Sequence, residues 1–270
     1  MVNIYFMHGV VENFKKECFL HRDLNDKKLF EKYLKSRHSK FIDIETALND
    51  NNGDVLTIDD ATIASYEAAL IANELGHKTT LFVNADNVLN NKTYFFCKLN
   101  NILERTISEY ITFNGNKYPL KTFVQKKEFR KDFKQYFRTL SNIQDVEKLV
   151  DCLSIELLKE NNINPYYLNS LSKNDIFDLI KQGVRIENHG FSHLEISSLN
   201  EDQFFNHITV CHDWLNKEFN LSSSIYAVPF GETIPKYEIA DIKLILLASD
   251  VIKQGFFVSS KLYNRIELKF

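Results

Sequence analysis

The sequence predicts an α/β fold whose parallel strands are covered by helices, as a barrel or a doubly wound sheet. Three observations predict it. Residues 54–58, 62–75 and 79–83 read as strand, helix and strand within about thirty residues, the size of one βαβ unit. The same alternation resumes at Ser172 and continues along the rest of the chain. Polar residues able to do chemistry follow several strands directly, at the end where α/β folds place their sites.

Each element has a local reason. Residues 2–7 are β-rich and apolar, as a buried strand is, and residues 29–48 are mixed, with a helical first half. The strand at 54–58 ends abruptly in Asp59-Asp60. Residues 62–75 carry Ala, Leu, Ile and Glu at helical spacing, and Gly76 stands where a C-cap glycine belongs. From about 92 to 169, charged and aromatic residues alternate at helical spacing through 95–111, 126–140 and 145–159, which predicts a mostly helical insertion. Its aromatic residues either line a groove or pack a core of their own. Ser172 and Asp175 then form a capping box, and Gly183 closes that helix. A strand at 184–187 leads into His189, an amphipathic helix covers 200–219, and a strand at 225–228 runs into Pro229-Phe230-Gly231. The remaining strands are expected at 244–247, 256–259 and 266–268.

Composition narrows the function. The 270 residues are 44% hydrophobic and 26% charged, which suits a packed core. A net charge of −3 gives no broad basic field, so neither nucleic acid nor an anionic membrane is an expected partner. No stretch approaches the ~20 apolar residues of a membrane span, and the first residues lack the features of a signal peptide. Cys18, Cys97, Cys152 and Cys211 are scattered without a C-x-x-C spacing, which points to reduced thiols and a cytoplasmic location.

The chemistry gathers after four strands, at His8, at Asp59-Asp60, at His189 with His193, and at Pro229-Phe230-Gly231. Adjacent carboxylates near a core repel unless a cation or proton compensates. Two imidazoles and one carboxylate suit Zn²⁺, Co²⁺, Ni²⁺ or Fe²⁺ and leave positions for water and substrate. One aspartate suffices as a ligand, so the other is free to act as a base. Singly, each signal has a plainer reading: an Asp-Asp pair can open a helix, and a His-x-x-x-His spacing arises by chance. His207 and His212, five apart on a predicted helix, suit no obvious site. Co-occurrence in order is what carries weight.

These residues also resemble a known family. Thr57-Ile58-Asp59-Asp60 resembles the Thr-Phe-Asp-Asp motif of the polysaccharide deacetylases (carbohydrate esterase family 4, the NodB-homology domain). His189-Gly190-Phe191-Ser192-His193 is similar to that family's His-Thr-x-x-His motif, and Pro229-Phe230-Gly231 to its Pro-Tyr-Gly. The flanks 76–83 and 179–186 agree. Tyr5-Phe6-Met7-His8-Gly9-Val10 resembles the Tyr-His-x-Val segment of a permuted branch whose catalytic histidine is N-terminal, and no histidine follows His212.

The resemblance implies one domain over 1–270, a distorted (β/α)7 barrel with a helical insertion at about 92–169. It implies that Asp60, His189 and His193 hold one divalent metal, Zn²⁺ foremost, with Co²⁺ or Ni²⁺ as alternatives. Asp59 would be the base, the backbone N–H of Phe230 the oxyanion donor, and His8 the acid, with a core histidine as its plainer reading. The implied reaction removes an N-acyl group, acetyl foremost, from an amino sugar or a sugar-containing biosynthetic intermediate. The substrate would be a small-molecule or lipid-linked carbohydrate. Three departures stand out. Ala227 occupies the place of an arginine common in the third motif, for which Arg265 is a candidate substitute or else a surface or interface residue. Ala61 replaces a glycine, and Gly190 a threonine. Two other readings stay open: hydrolysis of another non-peptide C–N bond, and a degenerate member serving as a binding or scaffold module.

Overall fold

A computed structural model describes residues 1–12, 14, 20–21, 24–158, 165–248, 255–257 and 260–270. In chain order the strands are β1 (Val2–Met7), β2 (Val10–Val11), β3 (Asn25–Asp26), β4 (Gly53–Asp59), β5 (Thr79–Val83), β6 (Tyr110–Phe113), β7 (Asn116–Pro119), β8 (Arg185–Asn188), β9 (Ile225–Ala227), β10 (Leu244–Leu247), β11 (Gly255–Phe257), β12 (Ser260–Asn264) and β13 (Ile266–Glu267). The helices are α1 (Lys27–Ser36), α2 (Ile44–Asn49), α3 (Ile63–Glu74), α4 (Ala85–Leu89), α5 (Phe95–Arg105), α6 (Phe123–Phe137), α7 (Ile143–Leu158), α8 (Lys173–Lys181) and α9 (Glu201–Phe219).

The main sheet runs β11-β12-β10-β9-β8-β5-β4-β1-β13, parallel throughout except for β11 against β12. Arg265 alone separates β12 from β13. The first half of this stretch pairs with β10 (Leu244↔Lys261 to Leu247↔Asn264), and the second half pairs with β1 (Tyr5↔Ile266, Phe6↔Glu267). Taken as one bent strand, β12–β13 closes a ring with β10, β9, β8, β5, β4 and β1. The result is a distorted seven-stranded α/β barrel of the TIM kind. The distortion is greatest where β8 and β9 meet at a single pair, Asn188↔Tyr226.

Alternation along each strand sorts side chains into two layers. Val55 joins Ile4, Phe82, Ala227 and Leu246 in the barrel interior, while Leu56 and Ile58 pack outward with Phe30, Leu34, Ala68 and Leu179 of the helices. The same period puts Asp59 on the interior side, at the carboxyl end of β4. Helix ends obey their caps. Thr62, Ser172 and Asn200 each accept an N3 backbone N–H in a capping box, and Gly76 and Gly183 follow their helices with φ of +77° and +85°.

The predicted helix over 95–111 ends at Arg105. Residues 110–119 instead form the hairpin β6–β7, turning at Asn114-Gly115 with positive φ at both (49° and 75°). An Asn-Gly pair between β-prone residues is itself a hairpin signal, and the sequence reading, with helices at 95–111 and 126–140, leaves it unused. The expected strand at 256–259 is described only as Gly255–Phe257, positions 258 and 259 lying outside the described residues. Strand β12 was not foreseen. Helices α5, α6 and α7 bury Phe95, Leu103, Phe129, Phe133, Phe137, Val146 and Val150 in one cluster that continues into Tyr226 and Ile245 of the barrel. At roughly 1.5–3 kcal/mol per buried large apolar side chain, this shared cluster fixes α5, α6 and α7 over the barrel's carboxyl end.

Candidate active site

Five of the seven residues singled out from sequence stand directly at strand ends, and all seven meet in one cavity of about 550 Å³. His8 follows β1, Asp59 ends β4 with Asp60 next, His189 follows β8, and Arg265 sits at the seam of the closing strand. His193 and Phe230 come from the loops after β8 and β9. Phe6, Phe96, Arg130, Lys134 and Glu232 complete much of the wall.

The ligand atoms that Asp60, His189 and His193 would offer lie within 4.8 Å of one another, and all three residues are buried. His189 Nδ1 is 2.8 Å from the Ala227 carbonyl, which can only accept, so Nδ1 carries the proton and Nε2 presents a lone pair. That Nε2 is buried without a hydrogen-bond partner, 3.7 Å from Asp60 Oδ1. His193 Nε2 stands 3.6 Å from the same oxygen. Burial pushes His189 down to about 4 and His193 well below its usual range. For His193 the charges of His189, His8 and Lys134 push the same way. Neutral imidazoles converging on a buried carboxylate are the donor set a divalent cation needs, so the residues fit a metal. Among the described residues no other cluster of this kind occurs.

Asp59 is held differently. Burial opposes its ionisation, but the Arg265 guanidinium, with His189 and His8 adding to it, outweighs burial and keeps the carboxyl far below the usual range. The pair is bidentate, Nη1–Oδ1 2.6 Å and Nη2–Oδ2 2.7 Å, and Nη1 also donates to Thr57 Oγ1. Arg265 is 4% exposed and lies over the Phe6 ring, so it is not a surface residue. His8 Nε2 is 4.0 Å from Asp60 Oδ2, with 22% of its side chain open to the cavity.

Backbone strain is concentrated here. Among the described residues six non-glycine positions have positive φ. Four are asparagines, and the other two are Asp60 (64°) and Phe230 (62°). A left-handed phenylalanine is costly and persists only where its surroundings hold it. The positive φ falls on Asp60 and not on Ala61, so the missing glycine does no harm; the Ala61 N–H donates to the buried Tyr94 hydroxyl at 2.9 Å.

Several supports gave little sign of themselves in the sequence. Asn84, directly after β5, donates to the His189 carbonyl, and Asn188 accepts the Gly190 N–H. Position at a strand end could have singled out both, Asn84 directly after β5 and Asn188 as the last residue of β8. Glu195 is buried and accepts from Arg138 Nε (2.9 Å) and Thr233 Oγ1 (2.7 Å), while Arg138 Nη2 also donates to Glu232. The Arg138 guanidinium lies 5.0 Å from the Phe230 ring centre, and the His193 ring meets that ring edge-on at 4.6 Å. One carboxylate thus ties the end of α6 to the loops carrying His193 and Phe230. His207, on α9, is also buried, and its ring occupies the space beside Gly190.

No protein-family profile and no curated protein sequence matches the chain. Solved structures do. A Streptococcus pyogenes deacetylase, PplD, in complex with acetate, is 14% identical over 99% of this chain and 92% of that one, with a TM-score of 0.60. A polysaccharide deacetylase from Bacillus cereus is 13% identical over 98% of this chain and 64% of that one, TM-score 0.58. IcaB from Ammonifex degensii is 11% identical over 99% and 91%, TM-score 0.52. The class that fold and comparisons define is the distorted α/β barrel. Within that class, the chain has the fold of the polysaccharide deacetylases.

Proposed function

We propose that the protein is a metal-dependent deacetylase, a member of the polysaccharide deacetylase family in its permuted branch, which removes an N-acetyl group from an amino sugar or a sugar-containing intermediate. The observation that carries this reading is the convergence of Asp60, His189 and His193 beside a separately held Asp59 and a solvent-reachable His8. A scaffold has no use for neutral imidazoles aimed at a buried carboxylate. The likeness to deacetylase structures, one of them holding acetate, supports the same reading.

Asp60, His189 and His193 would hold one divalent ion, Zn²⁺ foremost. When bound, it supplies Lewis-acid polarisation of the acyl group and of the attacking water. Asp59, kept ionised by Arg265, takes the proton from the water. The Phe230 N–H, fixed by its left-handed backbone, donates to the acyl oxygen as charge develops there. His8 in its protonated form gives a proton to the departing amine, which is a poor leaving group without one. Domain-wise, the reading takes 1–270 as one catalytic unit with the segment at about 92–169 inserted over the site. We further read the protein as cytoplasmic; no helix among the described residues is long and apolar enough to cross a membrane.

Elemental analysis of the purified protein beside the His189→Ala/His193→Ala variant tests this directly. The expected result is near one metal per chain, lost in the variant, with acetate released from N-acetylated amino sugars by the wild type alone. Absence of metal even after Zn²⁺ or Co²⁺ is added would sink the hydrolase and favour a binding module.

A further inference from the structure

The two roots of the inserted segment meet at the turn that carries Asp60. That residue has φ of +64°, a left-handed conformation that costs energy and persists only where its surroundings hold it. Its neighbour Ala61 is held on both sides. The Ala61 N–H donates to Tyr94 Oη at 2.9 Å, and the Ala61 carbonyl accepts from the Leu171 N–H at 2.8 Å. Further along the turn, the Ile63 N–H donates to the Asn169 carbonyl at 3.0 Å. Ser170 Oγ donates to the Lys92 carbonyl, which joins the two roots to each other. Regular pairing does not serve the Ala61 N–H, because β4 pairs with β5 only as far as Asp59↔Phe82 and α3 begins at Ile63. The tyrosine is itself fixed. It is buried, stands at the N-cap of α5, and packs among Val11, Ala64, Cys97 and Leu168. Its ring meets the His193 ring edge-on at 6.1 Å. One side chain therefore touches two of the loops that carry the candidate ligands.

We propose that Tyr94 is a positioning residue for the metal: its hydroxyl holds the Asp60 turn in its left-handed form, so the carboxylate faces His189 and His193 before the ion arrives. Without the hydroxyl, the Ala61 N–H is buried and unsatisfied in that turn. The metal-free chain then leaves the turn, and metal binding has to restore it, which weakens affinity. The proposal rests on the metal site of the deacetylase reading and gives the first root of the insertion a task beyond covering the cavity.

The test is the Zn²⁺ affinity of the intact, metal-stripped protein, measured by competition with a chromophoric chelator. Tyr94→Phe should bind Zn²⁺ roughly 10–100-fold more weakly than the wild type, the loss expected when a support of a metal ligand is removed. Tyr226→Phe removes a hydroxyl that is also buried but has no hydrogen-bond partner, and should bind Zn²⁺ as the wild type does. Thermal unfolding of the metal-free forms identifies a hydroxyl that is merely structural: lowered stability with unchanged affinity would overturn the proposal. Should Tyr94→Phe not fold, amide hydrogen exchange on the metal-free wild type decides. Slow exchange at Ala61 is expected, and exchange as fast as in an open loop would overturn the role. A wild type that binds no Zn²⁺ would sink the metal site and this role with it, whereas equal affinities in wild type and Tyr94→Phe would sink the role of Tyr94 alone. Zn²⁺ binding that depends on Tyr94, without acetate release from any sugar, would refute the deacetylase and leave the positioning role standing.

Discussion

At Asp59 two large effects act on one carboxyl group. Burial favours the neutral acid, and the paired guanidinium of Arg265 favours the anion and wins. A base held so far down stays ionised through the working range, so the wild-type rate should show no acid limb from Asp59. Removing the cation as Arg265→Gln leaves burial unopposed and raises the Asp59 pKa. Because the proposed mechanism needs the ionised form, rate is then lost from the acid side upward, and a pH–rate profile should show a limb that the wild type lacks. The same variant strands a buried carboxylate, so its unfolding free energy should fall by about 3–5 kcal/mol in denaturant titrations. For His8→Ala, kcat should drop by roughly 10²–10⁴ with metal content unchanged, as loss of a general acid requires. Near-full activity in that variant would remove His8 from the mechanism. The sequence displayed these groups through their position after strands. It could not show that Arg265, over two hundred positions away, meets Asp59, because that contact exists only once the ring is closed.

Among the elements, the loop after β8 depends on α9. A Cβ built on Gly190 would stand 1.9 Å from His207 Nε2, and Gly190 itself has φ of +83°. The threonine of the resembled His-Thr-x-x-His motif is therefore excluded twice at this position, by the imidazole and by the backbone. Gly190→Ala should lose metal affinity and stability together. Adding His207→Ala should recover the steric part and leave a left-handed cost of about 1–2 kcal/mol, measurable as a double-mutant cycle in thermal unfolding. His207, set aside in the sequence as a chance repeat, is thus part of the site's support. The link between Arg138 and Glu195 was illegible for a different reason. Helical spacing located α6, but the sequence gave no indication of which loops its end would touch. The β6–β7 hairpin is missed because the helical reading runs on to residue 111 and leaves 112–125 without an element.

For the molecule as a whole, buried neutral histidines make stability depend on acid. His189 is depressed to about 4 and His207 to about 3, both chiefly by burial. Their folded values lie below the unfolded value of about 6.5, so the unfolded chain takes up protons that the folded chain refuses. Stability from each is fully present above pH ~6.5. It falls by about 1.4 kcal/mol per pH unit on acidification, until the folded value is reached. The melting temperature of the chelated protein should therefore drop steadily between pH 7 and pH 5. A flat profile would contradict neutral burial of these rings. Fold class and the strand-borne site were legible at this scale because βα alternation and strand-end chemistry are local signals. Closure through a bent last strand was not, since it depends on pairing between the first strand and residue 266.

That pairing also orders events in time. Residues carrying the candidate metal ligands come from β4 and β8, which are joined by β5 and can assemble early, whereas the contact of Tyr5 with Ile266 spans the longest separation in the ring. Contacts of such separation form late, because chain entropy must be overcome before they return anything. On the proposed reading, a half-assembled barrel would then capture metal while Asp59 still lacked its counter-charge. In a refolding time course, metal uptake should run ahead of the appearance of turnover, and the lag between them should be the docking time of the seam.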